Sequence, residues 1–281
     1  MKVKVNANLA NFIYKISPSI LFGLLYFRYR GKFPNFKKPK NLSEIIFSQI
    51  LSGEINQYAD FVDKVKVREH IKEWGLEEYL PKIYGIWNNV EEIDFDSLPQ
   101  QFVLKTNNGC GSNYFCRNKN EFDIEKAKEM LSGDLTGKYS LFETQYHHIK
   151  PLIFCEELIS DGCRDLPLDY KFMCCDGDVR CVLLCSDRST NILLSTYDLE
   201  WNKLDFIRDF EKSNADFECP RNLNKMIQIA QTIAQKFVTV RVDLYDTGDR
   251  VYIGELTFTP EGGIMAYYKN DAIDYMGHLS K

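Results

Sequence analysis

The segment VTVRVDLYDTGDRVYIGELTFTPEGG runs from Val238 to Gly263. Its two halves alternate apolar and polar residues around DTGDR, the pattern of two half-buried strands joined by a turn. Along the first strand Thr239, Arg241, Asp243 and Tyr245 share one face. With residues 246–250 as the turn, Tyr245 pairs with Val251 and Asp243 with Ile253. Glu255 then lies diagonally from Asp243 on the same face, about 7–8 Å away. Two carboxylates so placed repel unless a cation sits between them, and Mg²⁺ favours carboxylate and phosphate oxygens. Thr257 lies on the same face and offers a further oxygen, and Pro260 with Gly262-Gly263 makes a sharp backbone exit. The plainer reading is a hairpin in which Arg241 and neighbouring lysines neutralise both acids.

Outward from this ribbon the pattern stays mixed. NLNKMIQIAQTIAQKF reads as an amphipathic helix. DYKFMCC and DVRCVLLCSDR flank Asp176-Gly177, a two-residue hairpin signal. LIFCEEL and QFVLK read as strands, NNGCGSN as a turn, NYFCR as a short strand and residues 123–132 as a helix. Residues 60–80 carry a helical spacing that Gly75 ends and Pro81 forbids from continuing. Residues 1–56 read as helices around the basic connection GKFPNFKKPKN. The class is α+β with antiparallel hairpins. No GxGxxG follows a first strand, which argues against a dinucleotide-binding dehydrogenase.

The chain has 281 residues, 44% hydrophobic and 27% charged, enough for a packed core. A net charge of −5 argues against a nucleic-acid binder. The nine cysteines are odd in number and form no CxxC, so they read as reduced core residues of a cytosolic protein and not as a zinc site. No cleavable leader is evident, and the apolar stretch from Ser19 to Phe27 is too short to span a bilayer. It reads as a helix packed on the body or as a membrane-surface helix with Arg28, Arg30 and Lys32 toward phosphates.

Two further sets can carry chemistry. Lys105 precedes a glycine turn, KTNNGCGSN, whose backbone N–H groups can approach an anion. Such a string is also common in ordinary hairpin loops. Lys64, Lys171 and Arg188 each follow an acid, in VDK, DYK and SDR, the usual setting of solvated ion pairs.

Taken in order, DK, VLK with its glycine loop, EEL, DYKF, DR, RVDLY and GELTFTPEGG resemble the TupA-like ATP-grasp family of cell-surface polysaccharide gene clusters. YFRYRGKFPNFKKPKNLSE and ADFVDKVKVREHIKEWG add to the resemblance, which covers about residues 27–263. It implies an ATP-grasp fold in which two α+β subdomains, 101–154 and 155–281, clasp ATP behind an N-terminal helical segment, 1–56, and a pre-grasp region, 57–100. Lys64 and Lys105 would bind phosphates. The loop with Asn108, Gly109, Cys110, Gly111 and Ser112 would close over the β- and γ-phosphates. Glu156, Glu157 and Leu158 would form the adenine hinge, and Asp169 with Lys171 would line the cleft. Arg188 would steady the transferred phosphoryl group, and Asp243, Glu255 and Thr257 would hold Mg²⁺. Lys105, Lys171 and Arg188 are the catalytic set so implied. The chain departs from the family where Asn is usual at Thr257, and where His and Ser are usual at Asn108 and Cys110.

The implied activity is a carboxylate–amine ligase acting on a uronic-acid or lipid-linked glycan carboxylate and an amine, in the cytoplasm or at the inner membrane surface. A glycosyltransferase is the alternative. It would want a DxD at a strand end, and Asp94-Phe95-Asp96 has that spelling before a turn. A non-catalytic nucleotide-binding protein is the other.

Overall fold

The computed structural model describes residues 7–109, 113–137, 140–164, 166–186, 192–209 and 212–278. Arg188, Cys110, Gly111 and Ser112 lie outside the described residues, so their expected roles have no structural account.

The chain opens with α1 (Ala7–Ile16) and α2 (Pro18–Arg30). Extended Ser17 bends the chain between them, and Pro18 starts α2 where its missing N–H costs nothing. Gly31 ends α2 at φ 71°, the left-handed conformation that glycine adopts without a Cβ clash. Arg30 turns inward: Nη2 donates to the carbonyls of Ile264 (2.5 Å) and Met265 (3.0 Å), and Nη1 to that of Tyr268 (2.8 Å). Burial, with Arg208 beside it, holds the Arg30 pKa down at about 10. Then comes α3 (Leu42–Ser52), capped by the Asn41 side chain, which accepts from Glu44 N at 3.1 Å.

The expected helix over residues 60–80 is broken in two, α4 (Ala59–Val62) and α5 (Val67–Glu73). The cause is Asp63. Its buried Oδ1 accepts from Val65 N (2.9 Å) and Lys66 N (3.1 Å), a local turn that competes with the helix. The break points Lys64 at the body of the protein.

The first sheet has four antiparallel strands: β1 (Ile83–Trp87), β2 (Phe102–Thr106), β3 (Asn113–Cys116) and, after α6 (Ile124–Leu135), β4 (Ile153–Glu156). Their order is β1-β4-β2-β3. Phe102, Leu104, Ile153, Cys155 and Leu131 of α6 form its core.

The second sheet has six strands: β5 (Asp169–Cys175), β6 (Asp178–Ser186), β7 (Leu193–Tyr197), β8 (Lys203–Leu204) and, after α7 (Leu223–Ala234), β9 (Thr239–Asp246) and β10 (Val251–Thr257). The order is β10-β9-β5-β6-β7-β8. The β5–β6 turn is as expected, with Asp176 and Gly177 at φ 55° and 78°. Val240, Val242 and Leu244 take the face opposite Asp243 and are buried, and α7 packs against β5, β6 and β9 with Met226, Ile229 and Ile233 buried. Cys174, Cys181 and Cys185 lie in this same core. The chain closes with α8 (Asn270–Met276).

The late ribbon departs from the expected register. Asp246 pairs with Val251 and Tyr245 with Tyr252, so the turn is one residue shorter on its first side. A β-bulge at Gly254 then restores the faces and sets Glu255 directly opposite Asp243, not diagonal to it. Gly254 is needed there: a Cβ would stand 2.7 Å from the Tyr245 ring and 3.2 Å from the Asp243 carbonyl.

Candidate active site

The two sheets face each other across a cleft. Its inner part, about 360 Å³, is lined by Lys64, Arg68, Lys105, Glu156, Gly254 and Glu255. Its outer part, about 400 Å³, shares Lys105 and Glu156 and adds Glu157, Leu158, Pro167 and Tyr245.

Lys105 reaches the cleft from β2 and donates to Glu156 Oε1 on β4. Lys64 enters from the α4–α5 break. Its Nζ donates to the Gly109 carbonyl at 2.5 Å, tying it to the start of the glycine turn. Asn107, fully buried, braces this arrangement. Its Nδ2 donates to Asp63 Oδ2 (2.9 Å) and the Lys150 carbonyl (3.0 Å), and its Oδ1 accepts from Leu152 N (2.7 Å). Its carbonyl takes Lys64 N at 3.2 Å. Asn108 is buried next to it.

Beneath the inner cleft lies a charged network. Asp243 is 1% exposed. Arg241 grips it with two bonds, Nε to Oδ1 (2.6 Å) and Nη2 to Oδ2 (2.7 Å), and reaches Glu255 Oε1 at 3.2 Å and Thr257 Oγ1 at 2.9 Å. Lys171 donates to Asp243 Oδ2 and stands 2.7 Å from Asp169 Oδ2. Burial pushes the Lys171 ammonium down, but Asp169 and Asp243 outweigh it and hold the pKa above the ordinary range. Burial pushes Glu255 up, and Lys64, Arg241 and Lys171 overcome that to hold its carboxyl at about 2. Glu143 faces the same charge: burial, and then Glu255, push its carboxyl up.

The site residues read from the sequence thus separate into groups. Lys64, Lys105, Gly109, Glu156 and Glu255 meet at the inner cleft, with Asp169, Lys171, Asp243 and Thr257 below. Leu158 lines the outer cleft. Glu157 also spans the two sheets, accepting from Lys82 N (3.1 Å) and the Tyr252 hydroxyl (3.1 Å). Asp94 of the DxD string instead caps a short turn, accepting from Asp96 N at 3.1 Å.

The cation between the two acids is Arg241, the neutralising partner of the plainer reading. Sequence reasoning saw it only in that role, although its place two residues before Asp243 puts it on the same face. Asp63 and Asn107 carried no signal beyond their neighbours Lys64 and Lys105. The donor set nonetheless suits a magnesium–phosphate group, because Mg²⁺ takes one or two carboxylates plus substrate oxygens. Asp243 and Glu255 are cross-strand partners. Among the described residues, no hydrogen bond falls on Glu255 Oε2, and Glu255 borders the cleft. The Thr257 hydroxyl donates to Glu255 Oε1 at 3.2 Å and would have to turn to join them.

Two α+β bodies facing across a lysine-lined cleft, with a carboxylate ribbon at its base, define the ATP-grasp class of fold. The model of the TupA-like ATP-grasp family matches residues 44–279, and the chain belongs to that family. No curated protein matches it. Among solved structures it is similar to D-alanine–D-alanine ligase from Bacillus anthracis, at 17% identity over 81% of this chain and 61% of that one, TM-score 0.43. The enzyme of the same name from Helicobacter pylori follows at 12% over 77% and 59%, TM-score 0.41. The ATP-grasp ligase PsnB complexed with minimal precursor, Mg and ADP gives 12% over 78% and 58%, TM-score 0.39. The chain spans less than two thirds of the length of each of these three.

Proposed function

We propose that this protein is an ATP- and Mg²⁺-dependent carboxylate–amine ligase that forms an amide through an acyl phosphate. The supporting observation is the meeting of Lys64, Lys105 and Glu255 at one cleft over the Arg241–Asp243–Lys171 network. The substrate carboxylate would take the γ-phosphoryl group and release ADP. An amine would then displace phosphate, with loss of a proton, to leave the amide.

In this reading Lys64 and Lys105 bind phosphate oxygens, Lys105 turning from Glu156 to do so. The backbone of the glycine turn, with Asn108, Gly109, Cys110, Gly111 and Ser112, covers the phosphates and excludes water from the acyl phosphate. Glu157 and Leu158 border the adenine position in the outer cleft, and Arg188 reaches the transferred group. Asp243 and Glu255, with Thr257 beside them, would hold Mg²⁺, which when bound neutralises charge on the phosphoryl oxygens. Arg241, Lys171 and Asp169 fix the geometry of those acids. The subdomains would be 101–154 and 155–281, with Ile83–Trp87 and the end of Ile153–Glu156 joining the first sheet from outside the first of these bounds.

The finer assignment is to cell-surface polysaccharide synthesis, with a uronic-acid or lipid-linked glycan carboxylate as donor and an amino acid or amine as acceptor. The test is ADP release with Mg·ATP across uronic acids crossed with amino acids. Release that requires both partners is expected. Consumption of a sugar nucleotide without ATP would replace this reading with the glycosyltransferase one.

A further inference from the structure

The first 43 residues stand apart from the rest of the chain. They precede the family-matched span and hold nine of the 35 basic residues and no acid. The remainder has 26 basic against 40 acidic residues, a balance of −14. The protein is therefore strongly polarised although its net charge is only −5.

The same segment exposes large apolar side chains in helical rows. Phe12 (63% exposed) and Ile16 (64%) lie one turn apart on α1, and Ile20, Leu24 and Phe27 recur at four and three residues on α2. Phe33, 66% exposed, stacks on Phe27 with ring centroids 4.7 Å apart, so the connection after α2 extends the apolar row. Side chains this apolar and this exposed are uncommon on a water-facing surface in such number. Exposed cations stand among them: Lys15 on α1, Arg28 next to Phe27, Lys32 next to Phe33, and then Lys37, Lys38 and Lys40. The inner sides of the helices are already used, since Leu21, Phe22, Leu25 and Tyr26 are buried in the main core. Among the described residues no helix is long and apolar enough to cross a membrane.

We infer that α1, α2 and the connection to α3 form a docking surface for an anionic lipid bilayer. The exposed rows enter the interface and the lysines and Arg28 meet headgroup phosphates. Helices of this type lie in the interface plane, with an apolar side immersed and a cationic margin. Each cation near an anionic surface raises affinity about fivefold, while the acidic remainder is repelled from it, which orients the molecule with the segment toward the lipid. An acidic glycan would meet the same cations but gives no reason for exposed Phe12, Ile16 and Phe33.

The experiment is flotation of the full chain with vesicles of phosphatidylcholine alone or mixed with phosphatidylglycerol, at low and high salt. Binding to the mixed vesicles, weakened by salt, is expected. Lys32→Glu with Lys37→Glu and Lys38→Glu should lower it by at least about tenfold. Phe12→Ser with Phe27→Ser and Phe33→Ser should lower it similarly with an unchanged melting temperature. If the serine variant fails to fold, the charge variant and the salt titration of the native chain still decide. The inference is overturned by equal or absent binding to the two vesicle types, or by wild-type binding of the charge variant. A dimer that the serine variant dissociates would overturn it too. None of these readouts depends on ligase turnover.

Discussion

Removing the Arg241 guanidinium would leave Asp243 and Glu255 facing each other in a partly desolvated pocket. Arg241→Met should therefore destabilise the protein by about 3–5 kcal/mol in urea unfolding, because it strands buried charge. Arg241→Lys keeps the charge and loses the two-pronged grip, so turnover should fall more than stability. Glu255 permits a pH test with a definite sign. Its folded pKa, about 2, lies below its ordinary 4.5. The stability this difference contributes is fully present above about pH 4.5 and is lost as pH falls through about 2. Glu255→Gln should flatten that part of the acid-unfolding curve followed by circular dichroism, and it should abolish ADP release. An acid limb unchanged by the substitution would show that the cations do not hold Glu255 as described.

At the scale of elements, two devices place the site: the bulge at Gly254 and the break between α4 and α5. Gly254→Ala would push into Tyr245 and the Asp243 backbone, and should cost about 1–3 kcal/mol while moving Glu255 out of register. Measured together, melting temperature and ADP release should both drop, the latter beyond what instability explains. Asn107→Leu should cost at least about 1–3 kcal/mol, since Asp63 Oδ2 and Leu152 N lose their partner. These are also the places where sequence reasoning fell short. Alternation along VTVRVDLY correctly put Arg241 and Asp243 on one face, and Asp176-Gly177 marked its hairpin. The bulge at Gly254 shifts the alternation by one residue: Val251, Ile253 and then Leu256 face the core, an odd step that a regular-strand reading passes over. The strand Ile83–Trp87 is a short, half-exposed edge with a glycine inside, and it carries no strong period. The helical spacing across residues 60–80 was real, but the side chain of Asp63 outcompetes it locally. The acids and lysines of the cleft were visible as residue types. Their partners, such as Glu156 on the neighbouring strand for Lys105 and Gly109 for Lys64, depend on contacts 51 and 45 residues apart.

For the whole molecule, the decisive feature is two hydrophobic cores of unequal size, one under each sheet. Trp87 packs against the smaller, and Trp74 and Trp201 against the larger. In urea, fluorescence from a chain retaining only Trp87 should change at lower denaturant than fluorescence from Trp87→Phe. Mg·ATP binds between the bodies in the proposed reading. At a hundredfold excess over its Kd it should add about 2.7 kcal/mol and draw the two transitions together. Coincident transitions without nucleotide would mean that the cores melt as one unit.

Arg30 gives the molecule a mechanical unity that its family boundary hides. It plugs the end of α2 into the carbonyls of Ile264, Met265 and Tyr268, just past Gly262-Gly263, where the carboxylate ribbon leaves the sheet. A protein trimmed to residue 44 would lose this keystone and leave the Ile264 carbonyl without its donor, while those of Met265 and Tyr268 keep Tyr268 N and Arg208 Nε. In the proposed reading, sluggish catalysis by such a trimmed version would report a slackened frame, not an inert one.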